Sequence, residues 1–224
     1  MLQLLFMLHL MIGGNYMSTL LKLDSSPMGE RSISRKLTTK FAESWLKTHP
    51  GGKVIERDLA TLNLPVVDAV WAGAAHTPEG SRTAAQAQAL AASDSLIKDL
   101  EQADEYVFGV PMHNFSIPST LKLWIDQVVR AGRTFSYGAT GPKGLLTGKK
   151  ATLLLASGGE YGKGSAMASF DFVTPYLQTV LAFIGIADVT IIAAGGTAQL
   201  MSGKTDPQAF LAPSLEKVHA HASL

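Results

Sequence analysis

Tyr106-Val-Phe-Gly-Val-Pro-Met-His-Asn-Phe-Ser-Ile-Pro-Ser-Thr-Leu-Lys122 is an apolar run that stops at a polar and aromatic loop and flows into an amphipathic segment. That is the layout of a ligand loop at the carboxyl end of a parallel strand. Met112, His113, Asn114 and Phe115 then offer a soft apolar wall, a titratable donor, an amide that both donates and accepts, and a flat ring. A planar heteroaromatic ligand would use all four. Taken one at a time, the same residues also read as a core Met and Phe around a helix-entry turn.

Outward from this stretch, strand and helix patterns alternate. Ser18 to Leu23 reads as a first strand, and Ile33, Leu37, Phe41, Trp45 and Leu46 recur at near-helical spacing until His49-Pro50-Gly51-Gly52 stops them. Lys53 to Leu59 alternates as a second strand. Thr61 to Ser81, with Pro65, Gly73, Pro78 and Gly80, reads as a long irregular segment, and such loops are usually lids, interface arms or disordered. Arg82 to Gln102 is helical, Glu105 to Val110 is the third strand, and Ser119 to Ala131 is a helix closed by Gly132. A second long loop, Arg133 to Gly148, precedes a fourth strand at Lys150 to Ala156, apolar on both faces. Phe170 to Ile184 reads as helix, Val189 to Ala194 as a fifth strand and Pro207 to His219 as a last helix. Such alternation forces parallel pairing with right-handed crossovers, hence a five-stranded, doubly wound α/β sheet.

The 224 residues suffice for one sizeable core, and no Pro- or Ser-rich break argues for two. Charged residues are 17% against roughly 25% in an average soluble domain. With 46% hydrophobic residues, this leaves less surface for water and favours an oligomer. Lys plus Arg (19) nearly balances Asp plus Glu (18) with no block of like charge, which argues against a nucleic-acid partner. The absence of cysteine removes disulfides, thiolate catalysis and Cys-based metal sites. The six histidines are scattered, so no metal site is expected. Leu2 to Ile12 is apolar but far short of the about 20 residues that cross a bilayer, and it lacks a signal peptide's basic start and cleavage site. No membrane association is expected. The codons of Gly13 and Gly14 would spell a ribosome-binding sequence just before Met17, so residues 1–16 are expected to be a non-native extension of a domain spanning 17–224.

Three loops carry the chemistry. Ser25-Ser26-Pro27-Met28-Gly29-Glu30-Arg31-Ser32-Ile33-Ser34 ends in hydroxyls at a helix N-terminus, where unpaired N–H groups and the dipole favour an anion. It equally accommodates Ser32 as a plain N-cap with filler serines around it. It is neither a Walker loop nor G-x-G-x-x-G, which disfavours ATP and Rossmann-bound NAD and leaves a monophosphate such as FMN. The Met112 to Phe115 loop would lie beside the ring. Ser157-Gly158-Gly159 lacks bulk where backbone must approach a ligand.

These pieces, with Asp24-Ser25-Ser26, Ser32-x-Ser34, Pro111 to Phe115, Leu121-Lys122, Ala131-Gly132, Gly141-Pro-x-Gly144, Leu146-Thr-Gly-Lys149 and Thr174-Pro-Tyr-Leu177, resemble the bacterial FMN-dependent NADH-azoreductases. These are flavodoxin-like relatives of NAD(P)H–quinone reductases. The resemblance implies a flavodoxin-like sheet of order 2-1-3-4-5 and a cytoplasmic homodimer. By it, Ser25, Ser32, Ile33 (through its backbone) and Ser34 take the FMN phosphate, and Met112, His113, Asn114, Phe115, Ala156, Ser157, Gly158 and Gly159 take the ring. Tyr137 and Phe172 resemble aromatics that close over the substrate, the latter from the second subunit. It further implies hydride passing from NADH or NADPH through FMN to a quinone or azo compound by a ping-pong route, with no side chain as essential acid or base. His113 stands where the family commonly has Tyr, and Ile33 where it often has Gln. Two other readings compete: a flavodoxin-type electron carrier without its own substrate pocket, and a hydrolase pairing Ser25 with His113, which lacks the G-x-S-x-G elbow.

Overall fold

The computed structural model describes residues 17–203 and 205–224; the expectation for the first sixteen residues lies outside the described residues. Five strands form one parallel sheet: β1 (Thr19–Asp24), β2 (Lys53–Asp58), β3 (Glu105–Pro111), β6 (Lys150–Ala156) and β7 (Asp188–Ala194), in the order β2-β1-β3-β6-β7. This is the expected 2-1-3-4-5 arrangement with an additional hairpin, β4 (Phe135–Gly138) and β5 (Gly141–Gly144), inserted in the chain between the third and fourth sheet strands. Helices α1 (Ile33–Thr48), α2 (Ala69–His76), α3 (Ala84–Gln102), α4 (Ser119–Val128), α5 (Thr174–Phe183) and α6 (Pro207–Ala222) complete the fold.

Successive strand residues point to opposite faces, and both faces are apolar here, so the sheet has two cores. Leu21, Leu23, Tyr106, Phe108, Leu153 and Leu155 pack with α3, α4 and α5. Leu20, Val107, Leu154 and Ile192 pack with Leu37, Phe41 and Trp45 of α1 and Val218 of α6. Capping fixes where the helices begin. Ser32 accepts from the Arg35 N–H to start α1, Thr83 and Gln86 form a reciprocal capping box on α3, and Asp206 accepts two N–H bonds at α6.

Four local expectations are corrected. The segment 61–81 is not irregular throughout: Asp68 caps α2, whose Trp71 indole donates to Gln127 Oε1 at 2.8 Å, while Gln127 Nε2 donates to the Pro65 carbonyl at 2.7 Å. The arm is therefore riveted to α4. The segment 133–148 folds as the β4–β5 hairpin, which packs on α5: a Cβ on Gly144 would collide with the Gly185 backbone, and Leu146 N–H donates to the Ile184 carbonyl at 2.9 Å. Helix α4 ends at Val128 rather than Ala131, because Thr134 Oγ1 accepts the Arg130 N–H and donates to the Val128 carbonyl, turning the chain. Helix α5 starts at Thr174 rather than Phe170, because Asp171 Oδ1 accepts from both Val173 and Thr174 N–H, and Pro175 fits the first turn.

Tyr106, on β3, is 1% exposed and donates its hydroxyl to the Leu100 carbonyl at 2.6 Å. Burial pushes its phenol above the ordinary value of 10.0, and the Asp104 carboxylate adds to this. The folded state thus holds a proton that the unfolded chain releases near pH 10, so this contribution is complete below pH 10 and declines above it. Denaturant midpoints at pH 9 and pH 11 should fall more for the parent than for Tyr106→Phe, which should be less stable by about 1 kcal/mol at pH 7. Gly144→Val should destabilise by roughly 1–3 kcal/mol through overpacking against Gly185, read in the same titrations.

Candidate active site

The strand register brings three loops to one edge of the sheet. Asp24 pairs with Gly109, Pro111 with Ala156, and Ala156 with Ala194, so the chain leaves β1, β3 and β6 side by side. Each departing loop is anchored to its neighbour by one more bond: Ser25 N–H to the Gly109 carbonyl at 3.1 Å, Met112 N–H to Ala156 at 2.8 Å and Ser157 N–H to Ala194 at 3.1 Å.

In the first loop, the two adjacent serines face different partners. Ser25 is fully buried and donates its hydroxyl to the Gly109 carbonyl at 2.8 Å. Ser26 Oγ accepts the Met28 N–H at 3.3 Å, which leaves its proton uncommitted. Ser32 Oγ and Ser34 Oγ lie 3.1 Å apart, and Ser32 also accepts the Arg35 N–H at 3.2 Å. One proton serves the bond between those two hydroxyls, so the other remains available. The Ile33 and Ser34 N–H groups, at the start of α1, have no protein partner among the described residues. Ser32 is therefore the N-cap and at the same time part of a hydroxyl cluster beside unpaired helix N–H groups, so the two readings of these serines do not exclude each other.

The second loop is a tight turn in which His113 and Ser116 exchange N–H···O bonds of 2.9 and 3.0 Å. Asn114 (φ 49°) and Phe115 (φ 69°) are both left-handed, a geometry that two-residue turns usually fill with Asn-Gly. A left-handed Phe costs on the order of 1–3 kcal/mol and is kept where the surroundings over-determine it. Here the Phe115 carbonyl accepts the Phe172 N–H at 3.1 Å, and the Phe115 ring meets Tyr161 at 6.3 Å and Phe170 at 5.5 Å. The His113 side chain is exposed at the turn.

The third loop turns its carbonyls away. Those of Ser157, Gly158 and Gly159 accept the N–H groups of Thr197, Ala198 and Gly196 at 3.0, 3.1 and 3.1 Å, and Ser157 Oγ also donates to Gly159. The Gly158 and Gly159 N–H groups have no protein partner among the described residues, so this turn presents donors. Tyr161 lies across Gly159, where an added Cβ would stand 3.2 Å from its ring. A cavity of about 390 Å³ opens beside these loops, lined by Met112, Ala156, Ser157, Tyr161, Asp171 and Ile191 among others.

The loops that carry the expected phosphate and ring residues leave the sheet side by side, but the Ser25 hydroxyl, expected on the phosphate, is spent on the Gly109 carbonyl instead. Phe172, 54% exposed, adjoins them through the Phe115 carbonyl. Tyr137 does not join them: it is 75% exposed on the hairpin, its ring against Phe135 at 5.4 Å. Ser26, Tyr161 and Phe170 escaped the sequence reading. The Ser-Ser doublet was visible, but which of these two buried serines keeps a free hydroxyl proton depends on where β1 ends. The hydrolase pair is not formed, because the Ser25 hydroxyl is buried on Gly109 and makes no bond to His113.

Residues 18–221 match the family described as having a flavodoxin-like fold. The chain is 54% identical over 207 residues to an FMN-dependent NADH:quinone oxidoreductase of Acidobacterium capsulatum, covering 92% of this chain and 100% of the relative. Among solved structures, it is similar to an azoreductase from Bacillus anthracis str. Sterne (29% identity, TM-score 0.82, 92% of this chain and 99% of that one). It is likewise similar to an FMN-dependent NADH-azoreductase from Bacillus anthracis str. Ames Ancestor in complex with FMN (28% identity, TM-score 0.81, 92% and 98%). A two-core parallel sheet with donor-rich loops at one edge, matched along nearly its whole length by these proteins, belongs to the flavodoxin-like family of FMN-dependent NADH:quinone oxidoreductases.

Proposed function

We propose that the three loops hold FMN and that the chain transfers hydride from NADH or NADPH to quinones and azo compounds. The observation that carries this reading is the set of uncommitted donors converging at one sheet edge: hydroxyls and amides of the first loop, and the Gly158 and Gly159 amides of the third. Their chemistry fits a phosphate and a ring with acceptor edges. Ser26, Ser32 and Ser34 with the Ile33 N–H hold the phosphate, while Ser25 braces the loop from beneath. Each charge-assisted hydrogen bond contributes roughly 1.5–3 kcal/mol and the helix dipole about 0.3–1 kcal/mol, so hydrogen bonding dominates. Met112 and Phe115 pack against the ring, His113 and Asn114 border it, and Ala156 to Gly159 supply close backbone. Bound there, FMN supplies the two-electron chemistry. The protein's part is to orient both substrates against one face, and no side chain is required as acid or base.

The chain acts as a cytoplasmic homodimer in this reading. Ile125, Val129, Tyr176, Val180 and Phe183 line a largely apolar groove between α4 and α5, suited to burial against a second copy. The exposed Phe172 and Tyr137 then complete the partner's substrate site. The electron-carrier alternative is separated by one assay, since a carrier lacks steady-state NADH oxidation with a quinone.

Purified protein should show a flavin absorption spectrum that bleaches on anaerobic NADH titration. The double variant Ser32→Asp/Ser34→Asp should lose most of its flavin through charge repulsion; undiminished flavin content would overturn the phosphate assignment. Initial rates varied in both substrates should give parallel double-reciprocal lines, because NADH and the acceptor share one stacking face; intersecting lines would require both bound together.

A further inference from the structure

Asp24 ends β1, immediately before the serine doublet, and is 3% exposed. Its Oδ1 accepts the Thr38 hydroxyl at 2.7 Å; its Oδ2 meets Lys22 Nζ at 3.2 Å and Arg35 Nη1 at 3.5 Å. The carboxylate lies against the first turn of α1. A Cβ placed on Gly109 would be 2.7 Å from Asp24 Oδ1 and 3.2 Å from the Ser34 carbonyl oxygen. A buried negative charge therefore sits directly beneath the turn whose hydroxyls and amides are arranged for an anion. Left uncompensated, it would oppose a phosphate there, and buried pairs are screened by salt far less than exposed ones.

Two cations face it. Lys22 is shared with Glu56 at 3.3 Å, and Arg35 is shared with Asp58, Nη2 to Oδ2, at 2.7 Å. The cluster holds two positive and three negative groups, so each cation matters. Lys22 is the nearer to Asp24, but only Arg35 also touches the Ser32–Ser34 turn. Its backbone N–H holds the Ser32 oxygen, its guanidinium lies on Asp24, and its Nε is buried with no partner among the described residues, leaving donor capacity unspent.

We propose that Arg35 is a positioning residue for FMN that acts through Asp24: by neutralising this carboxylate it lets the Ser32–Ser34 turn accept a phosphate, and so makes the site selective for the phosphorylated flavin. The inference rests on the FMN reading above. Riboflavin, which has the same ring and no phosphate, is the discriminating probe.

Flavin-stripped full-length protein, titrated with FMN and with riboflavin by fluorescence quenching, tests this. Arg35→Gln should weaken FMN by about tenfold or more and riboflavin by less than about twofold, and Arg35→Lys should recover most of the loss. Adding Asp24→Asn to Arg35→Gln should return FMN to within about threefold of the parent, and Asp24→Asn alone should tighten FMN relative to riboflavin. Equal weakening of both flavins by Arg35→Gln would mean that the residue merely supports the fold, and would overturn the proposal. So would failure of Asp24→Asn, alone or combined, to move the FMN-to-riboflavin ratio; this arm remains decisive if Arg35→Gln folds poorly. Absence of FMN affinity in the parent protein would instead overturn the reading of the site itself.

Discussion

Everything at the active edge depends on the parallel ladder continuing one residue beyond each strand. Ser25, Met112 and Ser157 are the first residues outside β1, β3 and β6, and each donates its N–H to the last or near-last carbonyl of the adjacent strand. These bonds set the level at which the three loops leave the sheet. A slip of one residue in any pair would reverse which side chains face the cores. Both faces here are packed with large aliphatic and aromatic groups, so register is held by two cores at once.

On that fixed edge, the loops divide the work by what they leave unsatisfied. The first spends the Ser25 hydroxyl on Gly109 and leaves hydroxyl protons of the buried Ser26 and of the buried Ser32–Ser34 pair uncommitted. The third spends its carbonyls on the segment after β7 and keeps the amides of Gly158 and Gly159. The second adds flat and soft surface, Met112 and Phe115, beside the exposed polar groups of His113 and Asn114. In the proposed reading, phosphate recognition, ring-edge recognition and stacking fall to separate segments.

Much of this was legible in the sequence. The apolar runs of β1 and β6, the Leu spacing of α3 and the break at Pro111 gave the sheet and the place of its ligand loops. Short elements were not legible. Helix α2 is eight residues with only Trp71 and Ala74 buried, too few to show a period, and it is held by partners distant in sequence, Leu90 and Gln127. Strand β5 is Gly-Pro-Lys-Gly, a sequence with no strand propensity, held by bonds from its neighbours to Thr134 and Ile184. Within the site, residue types were readable but orientations were not. Neighbouring serines look alike until the last paired residue of β1 is known, and the direction of a glycine's carbonyl has no signature in its side chain.

The turn at Asn114–Phe115 has a consequence for how such a protein can change over generations. Glycine at 115 would relieve the backbone, so a lineage selected only for heat resistance has an easy route to Asn-Gly at this corner. That route erases the ring that meets Tyr161 and Phe170, and with it the aromatic wall beside the cavity. At this corner backbone ease and an aromatic wall exclude one another, and the trade is concentrated in one dihedral angle.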